Sequence, residues 1–210
     1  MARRNPPIDP TGYYHLSTRG VYGRPMFRDD ADHELFLRLY GRTALKHRWV
    51  TLAWALIWNH HHFIVKLTDG GLSNGVRALH SNFSRRMHGK YGGTREGHLV
   101  RHCFYAGQIK TDEGILAAAR YVDLNAVRAG LCERPDEWRW SSYRATLGLE
   151  HPQPFHQPHE LHRLLGKTPR AARTAYRRYV HEGLVSDSHV LTSEQGYEIA
   201  PAPRVVESAA

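Results

Sequence analysis

Two apolar, β-rich runs, "VTLAWALI" and "FIVKL", lie so close together in the chain that they favour a β-hairpin. Three consecutive histidines, His60 to His62, lie between them. Because side chains alternate along a strand, His60 and His62 would point to one face of the sheet and His61 to the other. The hairpin is therefore expected to present a pair of imidazoles on one face of an otherwise apolar sheet.

The composition indicates a globular protein that favours polyanionic partners. The chain has 210 residues, of which 41% are hydrophobic, enough for one domain or for a domain with an appendage. Lys and Arg number 29 against 20 Asp and Glu, which gives a formal net charge of +9, and arginine predominates. Since the planar guanidinium suits phosphates and base edges, this balance favours a nucleic-acid partner without requiring one.

We find no sequence signal for a membrane or for secretion. No apolar run approaches the roughly 20 residues of a membrane span, and "MARRNPPIDP" carries no apolar stretch behind its arginines. Two cysteines, Cys103 and Cys132, form neither a disulfide framework nor a CxxC metal pair. We therefore expect a cytoplasmic protein with reduced thiols, and neither a membrane nor a small-molecule cofactor as partner.

The predicted elements follow the order of a ferredoxin-like (RRM-like) sandwich. Hydrophobic periodicity predicts a strand, a helix, two strands, a helix and a strand. The predicted ranges are 13–18, 29–48, 49–58, 61–67, 72–91 and 104–111. This order predicts an α+β fold with one antiparallel sheet and helices on one face. A third helix, over 112–131, would be an addition to that core.

The C-terminal part differs in composition from the rest. A stretch rich in proline and histidine, 150–159, indicates a linker. Two short helices are predicted after it, the second with Thr168 as cap and Pro169 at its first position. The arginines of the second helix favour a solvated face over a nucleic-acid contact. We expect a main domain, a basic helical extension and a disordered tail, over 1–150, 151–185 and 186–210.

The histidine pair needs a third ligand before it can count as a metal site. Taken alone, it is more often a pair of polar residues at the end of a hairpin. The predicted third helix contains "RYVDLNAVRAGL", in which Tyr121 and Asn125 are four residues apart and so lie on one face. An asparagine oxygen suits Mg²⁺ or Mn²⁺, and a tyrosine oxygen can attack phosphorus. Periodicity cannot tell this arrangement from a tyrosine that only packs.

Four segments resemble the IS200/IS605-like single-tyrosine transposases, and in particular the REP-associated tyrosine transposase branch. They occur in the order typical of that family and cover roughly residues 10–147. The "NHHHF" run is similar to the family's N-H-x-H-hydrophobic motif, and the tyrosine helix is similar to its Y-[IV]-x-x-N-P-V-R-A-G-L motif. The four segments are "RGVYGRPMFRDD", "NHHHF", "RYVDLNAVRAGL" and "WRWSSY".

The resemblance implies a ferredoxin-like HUH endonuclease domain over 1–150 that cleaves and rejoins single-stranded DNA. In the family's pattern His60, His62 and Asn125 match the ligands of a divalent metal, Mg²⁺ or Mn²⁺, and Tyr121 matches the nucleophile that forms a 5′-phosphotyrosine. The implied substrate is DNA with palindromic hairpins, in a cytoplasmic, nucleoid-associated protein that works as a monomer or a homodimer. The candidate phosphate contacts are Arg19, Arg24, Arg77, Arg85, Arg86 and Arg101.

The sequence departs from the family's pattern at four places, the first being Ile57-Trp58 where Met-Pro is usual. His61 replaces a hydrophobic residue, Ala126 replaces a proline, and Cys103 stands where an arginine is usual. We expect His61 to be buried with a hydrogen bond; the other reading is that it competes as a metal ligand in a shifted register. Because every catalytic atom is retained, we expect a competent enzyme. Two alternatives remain: a domesticated DNA- or RNA-binding module that has lost cleavage, and an unrelated metal hydrolase that uses water.

Overall fold

A computed structural model describes residues 8–92, 99–100 and 104–186. Its described residues form an antiparallel sheet with the strand order β2-β3-β1-β4. Both the α+β class and the ferredoxin-like strand order predicted from the sequence are confirmed. The strands are β1 (Tyr13–Arg19), β2 (Val50–Ile57), β3 (His60–Lys66) and β4 (Tyr105–Ile109).

Two long helices, α1 (Asp30–Lys46) and α2 (Leu72–Tyr91), cover one face of the sheet. Helix α1 begins where it does because the Asp29 carboxylate accepts a hydrogen bond from the backbone N–H of Asp32 at 2.9 Å, as an N-cap does. The face they bury is aromatic and aliphatic, and it forms the larger core of the protein. From the sheet that core takes Tyr14, Leu16, Trp54, Leu56, Phe63 and Val65.

A third helix, α3 (Asp112–Asp123), covers the opposite face of the sheet. It begins at Thr111, whose hydroxyl oxygen accepts a hydrogen bond from the backbone N–H of Gly114 at 3.0 Å. Its apolar residues pack against Ala55 and Ile64 of the sheet in a second, smaller core. The nucleophile candidate and its helix therefore lie on the face that α1 and α2 do not cover.

The single helix predicted over 112–131 is interrupted, which corrects the sequence prediction. Helix α3 ends at Asp123, and a short helix, α4 (Asn125–Arg128), follows Leu124. The carbonyl of Tyr121, in the last turn of α3, accepts hydrogen bonds from two side chains: Asn125 Nδ2 at 2.8 Å and Arg128 Nη1 at 3.0 Å. Carbonyls in a final helical turn lack backbone donors, and here these side chains supply the donors.

The C-terminal helices pack onto the sheet domain. They are α5 (Tyr143–Thr146), α6 (His159–His162) and α7 (Pro169–Ser186), and 3-10 turns span Val21–Gly23 and Pro135–Glu137. The predicted cap of α7 is confirmed by a 3.3 Å hydrogen bond from Ala171 N to the Thr168 hydroxyl. Tyr176 and Val180 are buried against α3. None of the helices in the described ranges is long and apolar enough to span a membrane.

The stretch predicted as a linker is packed in part. Phe155 joins the larger core, and His156 forms a parallel bridge with Thr51 of β2. A proline-rich composition indicates irregular backbone but says nothing about burial, so the linker reading is wrong at these two residues. The predicted disordered tail lies outside the described residues from 187 onward.

Candidate active site

The register of β1 against β3 decides which residues share a face with the histidine pair. Arg19 pairs with His60, and Ser17 pairs with His62. Ile64, two residues further along β3, packs in the core under α3. The rings of His60 and His62 have centroids 5.0 Å apart. The pair therefore lies side by side on the α3 face, as strand alternation predicts.

Tyr121 extends from the last turn of α3 over the histidines. Its ring centroid is 5.6 Å from that of His62 and 5.7 Å from that of His15. The Arg128 guanidinium carbon is 4.9 Å from the centre of the tyrosine ring, which places positive charge on the face of that ring. Asn125 is buried one turn later. The structure thus brings together all four residues that the sequence selected as catalytic group and ligands.

His60 is held between two amide side chains. Its Nδ1 is 2.7 Å from Asn59 Oδ1, which can only accept, so Nδ1 carries the proton. Burial lowers the pKa of His60 to about 4, while a hydrogen bond with the Asn125 side chain opposes that lowering and the charge of Arg19 adds to it. His60 is therefore neutral near pH 7, with its Nε2 as the remaining acceptor.

His62 is held in the same way by a residue of the neighbouring strand. His62 Nδ1 is 2.9 Å from His15 Nε2, so a proton on His62 Nδ1 leaves its Nε2 free to bind a cation. Burial is the main cause that lowers the pKa of His62 well below its ordinary value, followed by the charge of His60. Both histidines can thus present Nε2, with Nδ1 fixed by a partner, as ligating histidines commonly do.

These donors fit a divalent cation. The Asn125 nitrogen donates to the Tyr121 carbonyl, and the Asn125 side chain also bonds His60. A neutral His60 with its proton on Nδ1 presents a lone pair at Nε2, and an imidazole nitrogen beside an amide side chain suits a divalent cation. Within the described ranges no group of three His, Cys, Asp or Glu could hold a metal, because the third donor here is an asparagine.

His61 lies on the other face, as expected. It is buried in the larger core, with its ring centroid 4.9 Å from that of Phe36. Its Nε2 is 3.1 Å from Nε2 of His80 on α2. Burial lowers the pKa of both imidazoles, so one can donate to the other as neutral rings. The prediction of a buried, hydrogen-bonded His61 is confirmed.

The candidate phosphate contacts are spread over the molecule. Arg19 lies on the site face, next to His60 in the sheet, and Arg24 is exposed in the loop that follows β1. The three candidates on α2 are Arg77, Arg85 and Arg86. They are exposed on the helical layer that covers the opposite face of the sheet, so they lie away from Tyr121. Arg101 lies outside the described residues, as does Cys103.

Two site residues were not selected from the sequence. Arg128 lies seven residues after Tyr121, a spacing of two helical turns, so the helical pattern could have indicated it. His15 lies in the alternating run of β1, but only the pairing of β1 with β3 brings it to His62. Register between distant strands is not encoded in either strand alone.

A buried carboxyl group fixes the end of α3 that carries Tyr121. Asp123 accepts hydrogen bonds from Tyr176 of α7 at 2.6 Å and from the Ser142 hydroxyl at 3.0 Å. The Ser142 oxygen in turn accepts from the backbone N–H of Trp54 at 2.8 Å. Burial raises the pKa of Asp123 to about 7, against the opposing effect of these two donors. The network connects the tyrosine helix to both β2 and α7.

The fold is similar to that of a solved REP-associated tyrosine transposase bound to a REP hairpin. The two share 16% sequence identity with a TM-score of 0.57, over 74% of this chain and 90% of that chain. A likeness at this identity establishes the fold alone. No protein-family model matches the chain, and no curated protein matches it.

Two further solved structures have lower scores. A protein provisionally described as a transposase from Deinococcus radiodurans shares 15% identity over 53% of this chain and 88% of that chain, with a TM-score of 0.41. A tRNA(His) guanylyltransferase from Saccharomyces cerevisiae shares 13% identity over 85% of this chain and 82% of that chain, with a TM-score of 0.45. Scores this low support no argument from shape.

Proposed function

We propose that the protein is a metal-dependent transposase or endonuclease that cleaves and rejoins single-stranded DNA through a 5′-phosphotyrosine at Tyr121. The observation that carries the proposal is the approach of the Tyr121 ring to His62, at 5.6 Å between centroids, on the sheet face that His60 and Asn125 also share. A tyrosine beside two neutral histidines and an amide oxygen suits phosphoryl transfer.

The proposed step exchanges one phosphodiester for another. The Tyr121 oxygen attacks the scissile phosphorus, and the bond from phosphorus to the 3′-oxygen breaks. The phenol gives its proton to water, and the departing 3′-oxygen takes one from water. A second 3′-hydroxyl can then attack the phosphotyrosine, which restores a DNA strand and the free tyrosine. No ATP is needed, because the bond energy of the phosphodiester is retained in the protein–DNA ester.

His60, His62 and Asn125 would hold the metal, through two Nε2 atoms and one amide oxygen. When bound, Mg²⁺ or Mn²⁺ supplies charge that polarises the phosphate and stabilises the leaving 3′-oxygen. The chain itself contributes orientation: burial keeps both histidines neutral, and Asn59 and His15 bond their Nδ1 atoms so that Nε2 is turned toward the ligand. Arg128 adds a fixed positive charge on the face of the nucleophile's ring.

We propose a folded single strand with a palindromic hairpin as substrate. The similar fold of the transposase bound to a REP hairpin supports this choice. The net charge of +9 favours a polyanion. We further propose that residues 1–150 form the catalytic unit and that the extension over 151–185 supports it through the hydrogen bond from Tyr176 to Asp123.

The proposal is tested by trapping the covalent intermediate. The protein is incubated with Mg²⁺ or Mn²⁺ and a labelled hairpin, and the products are separated under denaturing conditions. We expect a labelled protein band that disappears in Tyr121→Phe and when the metal is chelated. The matched control is Tyr179→Phe, which removes a hydroxyl from a tyrosine on α7 whose ring faces Arg120. That variant should form the adduct at the normal rate.

Two other outcomes would contradict the proposed chemistry. Tight hairpin binding without any adduct or product, at every metal concentration, would identify a binding module that keeps the fold and lacks cleavage. Cleavage that survives Tyr121→Phe would identify a metal hydrolase in which water is the nucleophile.

A further inference from the structure

An exposed tyrosine in a left-handed backbone conformation stands at the edge of the candidate site. Tyr22 is 88% exposed, more than any other large hydrophobic residue among the described ranges. Its φ and ψ of 54° and 26° lie in the left-handed region, which is uncommon for a bulky residue. Neither burial nor backbone preference accounts for a tyrosine here. Strain of this kind persists where the surroundings hold it, often at binding sites.

The loop that carries Tyr22 is attached to the residue that orients His60. The backbone N–H of Gly20 donates to the Asn59 carbonyl at 2.8 Å, and Asn59 Nδ2 donates to the Gly23 carbonyl at 3.3 Å. The other side-chain atom of Asn59, its Oδ1, accepts from His60. One amide group therefore connects the loop and the candidate metal ligand, so the tyrosine has a fixed place relative to the site.

Arginines flank Tyr22 on both sides along the chain. Arg24 is exposed immediately after the turn. Arg19 precedes it, and its guanidinium group lies beside Gly23. An aromatic ring between cations matches the way proteins bind single-stranded nucleic acid, in which the phosphates contact arginines and the bases stack on aromatic rings. A ring standing singly is unlike the broad apolar patch of a protein interface.

We propose that Tyr22 is a nucleobase-stacking residue that positions the single strand next to the scissile phosphate. This inference rests on the proposed function, because it takes single-stranded DNA as the ligand. One unpaired base stacks on the Tyr22 ring, while Arg19 and Arg24 contact the adjoining phosphates. Since Asn59 links the loop to His60, the stacked base fixes which phosphate reaches Tyr121.

The experiment combines changes in the DNA with changes in the protein. Each nucleotide of the hairpin and its flanking strand is replaced in turn by an abasic residue, and the Kd is measured for each. The Tyr121→Phe background prevents cleavage during the titration. We expect one position at which loss of the base weakens binding about tenfold. At that position, loss of the base should no longer weaken binding when Tyr22 is replaced by Asn, because the base and the ring are the two partners of one contact.

Two substitutions separate stacking from folding. Tyr22→Phe keeps the ring and should bind as the wild type does. Tyr22→Asn removes the ring and places at φ 54° a residue that tolerates this conformation. The Asn variant should melt at the same temperature or higher, yet bind about tenfold more weakly. Leu45→Asn is the matched control for loss of an exposed apolar side chain, since Leu45 is 68% exposed on α1.

The outcomes distinguish the stacking inference from the proposed function. If the abasic effect at every position is the same with and without Tyr22, the stacking inference is wrong even when the adduct forms. If the protein binds no single-stranded DNA, the proposed function fails as well. Weaker binding by Tyr22→Asn together with a lower melting temperature would show a structural role and would also overturn the inference.

Discussion

The two faces of the sheet are built from the same strands but contain different chemistry. Under α1 and α2 the strands bury mostly aromatic and aliphatic side chains, and the buried His61 bonds His80. Under α3 they present His15, His60 and His62 to a tyrosine and an asparagine. The first face resembles an ordinary protein core. The second keeps a polar cluster at a place where apolar packing would be more stable.

This difference indicates which face carries function. Desolvating polar groups costs free energy unless each finds a partner. On the α3 face His60 and His62 each bond such a partner through Nδ1. Sites that break the local rules of packing are commonly functional. We therefore expect substitutions on the α1–α2 face to change stability and those on the α3 face to change activity.

The largest effect should come from the apolar face. Phe36 is fully buried and contacts the rings of Phe27, Phe63 and Phe83. Phe36→Ala should lower the free energy of unfolding by about 3–5 kcal/mol, because it removes buried area and leaves a cavity. Guanidinium unfolding at pH 7 measures this change. A loss below about 1 kcal/mol would mean that this face is not the main core.

Acid should destabilise the fold through buried histidines outside the candidate site. His156 donates to the Leu52 carbonyl at 3.1 Å, and burial lowers its pKa to about 4. In the unfolded chain the pKa of His156 is about 6.5. Between pH 6.5 and pH 4 the unfolded chain therefore binds more protons than the folded protein, so the free energy of unfolding falls as the pH falls. The neutral, buried His156 contributes on the order of 3 kcal/mol to the free energy of unfolding. This contribution is fully present only above pH 6.5.

The variant His156→Gln keeps a donor for the Leu52 carbonyl and removes the titrating group. Its stability should therefore depend less on pH between 6.5 and 4, measured as a shallower fall in denaturation midpoint. His151→Gln, at an exposed histidine, is the control and should keep the wild-type slope. Identical slopes for both variants would exclude His156 as a source of acid sensitivity.

A double-mutant cycle tests whether the middle histidine belongs to the apolar face. His61→Leu leaves His80 buried without its partner, which should cost about 1–3 kcal/mol. Adding His80→Leu should recover a large part of that loss, because two apolar groups replace a polar pair. Both variants should still form the DNA adduct, since neither side chain reaches the α3 face. Loss of the adduct in the double variant would assign His61 to the site.

The smallest effect on stability should come from Tyr121, the nucleophile that we propose. Tyr121 is half-buried at the end of α3, so Tyr121→Phe removes a hydroxyl and little packing. The free energy of unfolding should fall by about 1 kcal/mol or less, because at most one hydrogen bond is lost, and the denaturant assay used for Phe36→Ala measures this change. A loss of several kcal/mol would place Tyr121 among the structural residues and undo the contrast between the faces.

The sequence predicted most of the fold because its signals are local. The alternation in β3 placed His60 and His62 together, and the cap at Thr168 marked the start of α7. What it could not predict depends on contacts between distant segments. His15 reaches His62 only through strand register, and the break after Asp123 depends on side chains that bond to the Tyr121 carbonyl.

Covalent DNA cleavage through Tyr121 is the activity that we propose for the α3 face. Peptide mapping of the protein–DNA adduct by mass spectrometry tests it most directly, after digestion of both protein and DNA. We expect one modified peptide, containing residues 121–128, with a 5′-phosphate nucleotide on Tyr121. An adduct on another residue, or cleavage of the hairpin without any modified peptide, would contradict it.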